Sequence, residues 1–238
     1  MSKKESFWIP YADLMTVLML IFLFIAMAYM SLMQTQKKDQ DKLFKDFQIT
    51  KTEIYNDLFN TFKEDMSKWH LEIDKDLSIK FTNPEVLFHS GSSEITPQFQ
   101  LILSEFLPKY LRVITNEKYK DKISEIRIEG HTDTVPPRSS RDAYIDNIKL
   151  SQDRSRSVLE YFRGQSCYKS LVPEKEEQLQ FWLTANGLSY GRTLDINKKL
   201  TRESGLAPDN NNSRRVEFRI VTSSEKVIDE ALKQIEAK

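Results

Sequence analysis

The stretch WIPYADLMTVLMLIFLFIAMAYMSLM, residues 8–33, decides the architecture of the chain. Asp13 is its one charged residue, and residues 14–33 carry no charge. An α-helix rises about 1.5 Å per residue, so this uncharged run spans about 30 Å, the thickness of the hydrocarbon core of a bilayer. Because backbone groups in lipid must be satisfied within the segment, a single span of this kind is a helix. We therefore predict that residues 1–33 form the N-terminus and one transmembrane helix.

Asp13 lies near one end of this apolar run, and two interpretations of it are open. A carboxylate in the first turns of a helix is favoured by the helix dipole and can simply lie at the membrane interface. Alternatively, Asp13 is a site that binds and releases a cation, because ionisable residues inside membrane spans are functional by default. Periodicity alone does not separate these interpretations.

A cleaved signal peptide is the main rival to a retained span. The residues Ala26, Met27 and Ala28 have the small-x-small form of a cleavage site. The apolar run nevertheless continues to Met33 and exceeds the ~7–15 residues of a signal-peptide core. No cysteine follows the run to carry a lipid anchor. We therefore expect the segment to be retained.

The composition excludes several classes of function. The chain has 35 basic and 35 acidic residues, which gives no reason to expect a nucleic-acid partner. Cys167 is the single cysteine, and the three histidines have unrelated spacings, so neither an internal disulfide nor a metal site is indicated. No nucleophile–base pair is visible. We expect a protein that is not an enzyme and that holds no metal or organic cofactor.

Residues 34–70 are predicted to form a helical connector. Residues 34–42 are polar, as expected for a segment that leaves the membrane. Apolar residues then recur mostly at three- and four-residue steps, which gives a helix one apolar face; they are Leu43, Phe47, Ile54, Leu58, Phe62, Met66 and Trp69. Such a face must be buried, either on the chain's own soluble domain or on a second copy. The sequence leaves both possibilities open.

Residues 71–222 are predicted to form an α+β domain with a mixed sheet and helices on one face. Strands are indicated around residues 71–73, 77–81, 123–130, 181–185 and 216–221, with a short apolar run at 86–88. The first two strands flank a short turn at residues 74–76, which indicates a hairpin. Thr96 followed by Pro97 is typical of a helix start, and that helix runs to about Val113. A second long helix covers residues 144–162, and residues 223–238 read as a C-terminal helix.

The string FWIPYADLMTVLM, residues 7–19, resembles the transmembrane signature of the MotB family of rotary stator subunits. The resemblance implies that Asp13 binds the permeating ion and that the N-terminus is cytoplasmic. Thr16 shares a helical face with Asp13 and is a second candidate ion ligand; its alternative role is a hydrogen bond to the carbonyl four residues earlier. The resemblance also implies a homodimer and a plug within the connector.

Four blocks in the soluble domain resemble the OmpA-like peptidoglycan-binding family. They are FHSGSSEITP (88–97), EGHTD (129–133), NIKLSQDR (147–154) and SRRVEF (213–218). Each block is weak alone, but four in order across about 130 residues are specific. The resemblance implies a peptidoglycan site with these residues: Asp133, Arg154, Asn147, Leu150, Ser151, Thr132, Arg214 and Arg215.

Diaminopimelate in peptidoglycan carries an ammonium and carboxylates, and the resemblance assigns them to Asp133 and Arg154 respectively. One arginine of Arg214 and Arg215 is expected to make a structural salt bridge and the other to face the site. The alternatives without ligand binding are that Asp133 only accepts hydrogen bonds from backbone N–H groups in a turn and that Arg154 is a solvated helix residue. His131 is interpreted as a loop residue of the pattern.

Together, the two modules resemble the B-subunit of an ion-driven rotary stator anchored in the inner membrane with its C-terminal domain in the periplasm. A single span cannot form a pore, so a multi-span partner of MotA or ZorA type is implied, in an assembly of five partners around two copies of this chain. The ion, H⁺ or Na⁺, would be cargo. The FWIPYADLMT start resembles the ZorB family of Zorya anti-phage systems more than flagellar MotB. A flagellar MotB-type subunit is the first alternative, and a passive envelope tether is the second.

Three segments depart from the OmpA-like pattern. Residues 134–146 form a longer loop than usual, whose charges at Arg138, Arg141 and Asp142 are expected to reshape the pocket. The segment 167–180 is also longer than in the family pattern. Residues 192–212 are polar and rich in Asn, and we expect them to be mobile.

Overall fold

The computed structural model describes residues 8–135, 142–225 and 228. The chain divides into two compact units between Asp46 and Phe47. The helices are α1 (Trp8–Phe62), α2 (Met66–Trp69), α3 (Pro84–Leu87), α4 (Pro97–Ile114), α5 (Ala143–Gly164), α6 (Ser166–Lys169), α7 (Pro173–Trp182), α8 (Thr201–Ser204) and α9 (Asn210–Ser213), with a 3-10 turn at Glu117–Tyr119. The strands are β1 (Leu71–Ile73), β2 (Ser78–Phe81), β3 (Ile123–His131), β4 (Leu183–Gly187) and β5 (Arg215–Thr222).

The N-terminal unit consists of the first part of α1. Within the described part of the chain, α1 is the one helix whose length and composition suit a membrane span. Its side chains are exposed from Tyr11 to Lys42, and they include the apolar run. The polar residues 34–42 lie on the same helix as the apolar run, because α1 ends only at Phe62.

The C-terminal unit is built on a five-stranded sheet with the order β1-β2-β5-β3-β4. Strands β3 and β4 are parallel, and the other neighbouring pairs are antiparallel. The hairpin of β1 and β2 matches the predicted turn at residues 74–76. The prediction of an α+β fold with a mixed sheet is therefore confirmed.

The two faces of the sheet differ because side chains alternate along each strand. Ile126 and Ile128 of β3 and Phe218 and Ile220 of β5 are fully buried on one face. Arg127 lies on the other face, where charged side chains predominate. One face therefore carries the core, and helices cover it.

Helix α4 supplies much of that cover. The Thr96 side chain accepts a hydrogen bond from the Phe99 N–H, and Pro97 takes the first helical position, as the sequence predicted. The Phe106 ring lies 5.3 Å from the ring of Phe218 and 5.1 Å from that of Phe81. Such aromatic packing contributes beyond area burial and fixes α4 on the sheet.

The last turns of α1 belong to this same domain. Ile54, Leu58 and Phe62 are fully buried in the core, and the rings of Phe62 and Phe106 stack 4.9 Å apart. Asp57 accepts a hydrogen bond of 2.9 Å from the Tyr119 hydroxyl. Of the two possibilities for this apolar face, packing on the chain's own domain is the one that these residues adopt. The compact unit thus begins at Phe47, within the segment assigned to the connector.

Two local expectations differ from the structure. The run at residues 181–185 was expected to be a strand, but Phe181 and Trp182 end helix α7 and the strand begins at Leu183. Pro173 opens that helix at a position where its missing N–H is tolerated, and Leu179 and Trp182 bury its inner side. The polar residues 192–212 are also ordered, through hydrogen bonds described below.

Candidate functional site

Two glycines, Gly130 in strand β3 and Gly187 in strand β4, bring the ends of these strands against helix α5. A Cβ on Gly130 would lie 2.2 Å from the carbonyl oxygen of Ser151, and a Cβ on Gly187 would lie 2.4 Å from the backbone nitrogen of Gln152. No side chain fits at either position, because the obstacles are helix backbone. This close approach places the loop after β3 beside the helix that carries Arg154.

Strand β4 is held to the same helix by one side chain. The Gln152 amide donates to the Ala185 carbonyl at 2.9 Å and accepts from the Gly187 N–H at 2.7 Å. These two bonds lie along the outer edge of the edge strand. The Ser151 hydroxyl accepts from the Ser189 N–H at 3.0 Å and so fixes the loop that follows.

Asp133 lies in the loop directly after β3 and is only 7% exposed. Its Oδ1 accepts a hydrogen bond of 3.0 Å from the Val135 N–H, so the turn role considered for it is present. Its Oδ2 lies 3.4 Å from Nε of Arg214. Asp133 therefore both shapes its loop and presents one oxygen to a cation.

Arg154 reaches from α5 over the ring of Phe88, 5.0 Å from its centroid. Its Nε donates to the Ser92 carbonyl at 2.9 Å, and one terminal nitrogen donates to the His89 carbonyl at 3.4 Å. Burial lowers the pKa of Arg154 to about 10, against the attraction of Asp133. The guanidinium thus stays charged at neutral pH and is held in place, unlike a solvated helix arginine.

The paired arginines differ in burial and in their partners. Arg215 is buried, makes an ion pair with Glu217, and donates to the carbonyls of Arg192 and Ser213 at 3.2 and 3.1 Å. Arg214 is one-third exposed and faces Asp133. A small pocket opens between them, lined by Pro84, Leu87, Phe88, His131, Arg154, Arg214 and Arg215.

The remaining candidates hold the loops around this pocket. Asn147 is buried and donates to the Val135 carbonyl at 3.2 Å. Thr132 is buried, and its N–H donates to the Ser189 carbonyl at 3.0 Å. Ser151 is buried against the same loop, whereas Leu150 is half-buried. Asn147, Thr132 and Ser151 thus act on the position of Asp133 through the backbone.

A buried charged cluster that includes the pocket residues His131 and Arg215 was missed by sequence reasoning. His131 is the last residue of β3, and its Nε2 lies 3.6 Å from carboxylate oxygens of both Glu129 and Glu217. Burial lowers the pKa of His131, with Arg215 acting in the same direction. The signal was present as two alternations, Glu-x-His on β3 and Arg-x-Glu on β5, but it needed the register that pairs His131 with Arg215.

The polar residues 192–212 cover this cluster. The buried Asp195 carboxylate accepts from the N–H groups of Asn197 and Lys199 at 2.8 and 2.9 Å. The Ser213 hydroxyl binds both backbone groups of Leu194. These bonds, together with the buried side chain of Leu194, hold a segment whose polar composition suggested mobility.

The insertion at residues 134–146 is described only in part. Asp142 accepts from the N–H groups of Tyr144 and Ile145 and so caps helix α5. The expected effect of Arg138 and Arg141 on the pocket lies outside the described residues.

At the other end of the chain, Asp13 and Thr16 lie one helical turn apart on α1. The Thr16 hydroxyl donates to the Ala12 carbonyl at 2.8 Å, the backbone bond that was considered as its alternative role. Both side chains are exposed within the chain itself.

A sheet with an aromatic core, a Gly-His-Thr-Asp turn and an arginine on the facing helix define an OmpA-like domain, and the chain matches the OmpA family over residues 87–204. The domain resembles the structure of a MotB-like protein from Desulfovibrio vulgaris, with a TM-score of 0.50, 24% identity and coverage of 74% of this chain and 93% of that one. This likeness concerns the fold. In the described part of the chain, an apolar helix that could span a membrane precedes this domain.

The chain belongs to the ZorB family. It is 36% identical over 228 residues to the Zorya protein ZorB of Escherichia coli strain Crooks, covering 94% of this chain and 91% of that protein. It is 26% identical over 227 residues to ZorB of Escherichia coli O139:H28, covering 91% of this chain and 80% of that protein. Neither relative is described as an enzyme.

Proposed function

We propose that the chain is the cell-wall-anchored B-subunit of an ion-driven rotary stator in the bacterial inner membrane, acting in anti-phage defence as part of a Zorya system. Its family membership carries this proposal. An alignment over 94% of the chain takes in both the apolar helix and the OmpA-like domain. An anchor and an ion path are the two parts that a stator needs, because torque requires a fixed frame and a source of free energy.

The anchor is the site formed by Arg154, which lines the small pocket, and Asp133, which contacts the pocket residue Arg214. In this proposal the Oδ2 of Asp133, which faces Arg214 in the structure, takes the ammonium of diaminopimelate, and Arg154 binds a neighbouring carboxylate. Two features support these roles: Arg154 is fixed over Phe88 by two backbone carbonyls, and Asp133 is already paired with a cation. Such preorganisation reduces the entropy lost on binding.

The membrane part is a single helix with its N-terminus in the cytoplasm and the C-terminal domain in the periplasm. Because one helix cannot enclose a path for ions, a multi-span subunit of ZorA or MotA type must surround it. We expect five such subunits around a homodimer of this chain. Residues 34–46, whose side chains are mostly exposed, are available for pairing or for a plug in that assembly.

Asp13, with Thr16 beside it, is the ion site in this proposal. A charge that crosses 100 mV gains about 2.3 kcal/mol, and loading and unloading Asp13 would convert this free energy into rotation. The ion is H⁺ or Na⁺. If Asp13 only lay at the membrane interface, a neutral polar residue could replace it without loss of function. If Asp13 carries the ion, such a replacement would abolish function.

The test is phage plating on cells that carry the complete system with Asp13→Asn in the full chain. We expect complete loss of protection, because asparagine keeps the shape but cannot bind and release a cation. Glu53→Gln, at an exposed acid on the same helix outside residues 34–46, should keep protection. Full protection by Asp13→Asn would reduce the chain to a passive tether and overturn the ion-carrying role.

The anchor is tested separately by co-sedimentation of the full chain with purified peptidoglycan sacculi. Asp133→Asn and Arg154→Gln should each abolish sedimentation. Arg156→Gln is the matched control, because Arg156 lies on the same helix with 69% of its side chain exposed and pairs only with Glu160 among the described contacts. Undiminished sedimentation of both site variants would contradict this role of the pocket.

A further inference from the structure

The acidic and basic side chains in and around the pocket are unequal in number. In its lower layer, Glu129 and Glu217 are balanced by Arg192 and Arg215, at 3.8 Å in the first pair and in direct contact in the second. His131 lies between the two acids. The upper layer contains one acid and two cations.

These upper groups are Asp133, Arg154 and Arg214. Arg154 and Arg214 line the same small pocket, and Arg214 Nε lies 3.4 Å from Asp133 Oδ2, so the three lie close together. Among the described residues that line the pocket or pair within it, this layer has an excess of one positive charge. A ligand that carries one more carboxylate than ammonium would neutralise it.

Arg214 is placed to move when such a ligand arrives. Its Nε is directed to Asp133 Oδ2 at 3.4 Å, a long contact without a regular hydrogen bond. One terminal nitrogen donates to the Asn211 side chain at 2.7 Å. An ammonium at Asp133 would displace Arg214, whose guanidinium would then need another anion.

Arg154 cannot serve every carboxylate of the ligand. Its Nε and one terminal nitrogen are directed to the carbonyls of Ser92 and His89, which occupy the side-on edge of the guanidinium. The end-on edge, formed by the two terminal nitrogens, remains for one carboxylate. A second carboxylate would have to be bound by another cation, and Arg214 is the neighbouring one.

We infer that Arg214 determines specificity: it leaves Asp133 when the ligand's ammonium binds there and takes up a second carboxylate. The site then selects a peptide end with one free ammonium and two free carboxylates over the same end with one carboxylate amidated. In a peptidoglycan stem, a terminal diaminopimelate with its side-chain amino group free meets this description. This inference rests on the proposed peptidoglycan site.

The experiment compares two synthetic stem tripeptides that end in diaminopimelate. One has both carboxyl groups free, and the other has the carboxyl group at the peptide end converted to an amide. Binding to the purified full chain in detergent is measured by calorimetry for the native sequence and for Arg214→Gln, Arg154→Gln and Arg156→Gln.

We expect the native chain and Arg156→Gln to prefer the free acid by about fivefold or more, the effect of one charge-assisted hydrogen bond at a partly exposed site. Arg214→Gln should bind both peptides equally, whereas Arg154→Gln should bind both far more weakly. An unchanged preference in Arg214→Gln, or no preference in the native chain, would overturn the inference and leave the peptidoglycan site intact. Failure of the native chain to bind either peptide would instead refute the proposed site.

Discussion

The two units of this chain differ in whether their apolar side chains are buried within the chain. In the C-terminal unit, buried side chains from α4, the sheet and the end of α1 form one core. In the N-terminal unit, large apolar side chains such as Phe22 and Phe24 are more than 60% exposed within the chain. The domain can thus specify its fold from its own residues, while the helix depends on lipid or on other subunits.

The largest effect should come from where the chain is cut. A variant that lacks residues 1–42 should be water-soluble and folded, because it keeps all of the domain core. A variant that lacks residues 1–70 also loses Ile54, Leu58 and Phe62. Each of these buried side chains contributes about 2–5 kcal/mol to the free energy of unfolding. Their combined contribution approaches the whole stability of a domain. Circular dichroism and urea unfolding of the two variants would check this. Equal stability of both would show that the end of α1 is dispensable.

Gly130→Val should be the most damaging single substitution. Its Cβ would overlap the Ser151 carbonyl of helix α5, so helix and sheet must separate, at a cost of about 4 kcal/mol or more. Gly164→Ala is the matched control, because a Cβ there meets nothing within 4 Å. Urea unfolding of the variant lacking residues 1–42 measures both. A Gly130→Val protein as stable as the control would contradict the close approach.

Glu217→Gln should destabilise the domain by about 3 kcal/mol at neutral pH, since it leaves the buried Arg215 without its counter-ion. Burial raises the pKa of Glu217, but Arg215, His131 and Lys80 lower it further, so its net pKa lies below the ordinary 4.5. Its stabilisation is therefore complete above pH 4.5 and is lost as the pH falls through the lowered value.

The difference between Glu217→Gln and the native domain should accordingly shrink on acidification. Urea unfolding between pH 7 and pH 3 would follow it. Glu160→Gln, at an exposed pair with Arg156, should change stability by less than about 0.5 kcal/mol at every pH. A pH-independent loss in Glu217→Gln would point to packing rather than charge.

Asp57→Asn should have the smallest effect, under about 1 kcal/mol, because its partners Lys118 and Tyr119 lie at a partly exposed surface. Burial raises the pKa of Asp57, but the hydrogen bonds from these partners lower it further. The contribution is present above the ordinary pKa and disappears in acid. Unfolding midpoints at pH 7 and pH 3 test this, and a midpoint change that persisted in acid would argue against it.

The sequence predicts most elements of the domain because their signals are local. Thr96 and Pro97 begin a helix, the 74–76 turn joins a hairpin, and alternation marks β3 and β5. The same holds for Asp133 and Arg154, whose positions follow from short motifs. What the sequence cannot supply is which distant residues meet. The pairing of Asp133 with Arg214 depends on two loops that approach from separate strands.

Non-local contacts also explain the remaining differences. The apolar face around Phe62 fits its own domain as well as a second copy, and only the aromatic core of α4 decides between them. The order of residues 192–212 comes from bonds such as that between Ser213 and Leu194, which composition does not reveal. His131 seemed a loop residue until the register of β3 and β5 placed it between two acids.

The bonds from Gln152 to strand β4 also affect which chains can pair with this edge of the sheet. An unpaired strand at the border of a sheet is a template on which another chain can add a strand. Here the donor of Gly187 and the acceptor of Ala185 are already used by a side chain of the same molecule. One donor and one acceptor that an added strand would need are therefore already bonded within the molecule, which disfavours strand addition at this part of the border.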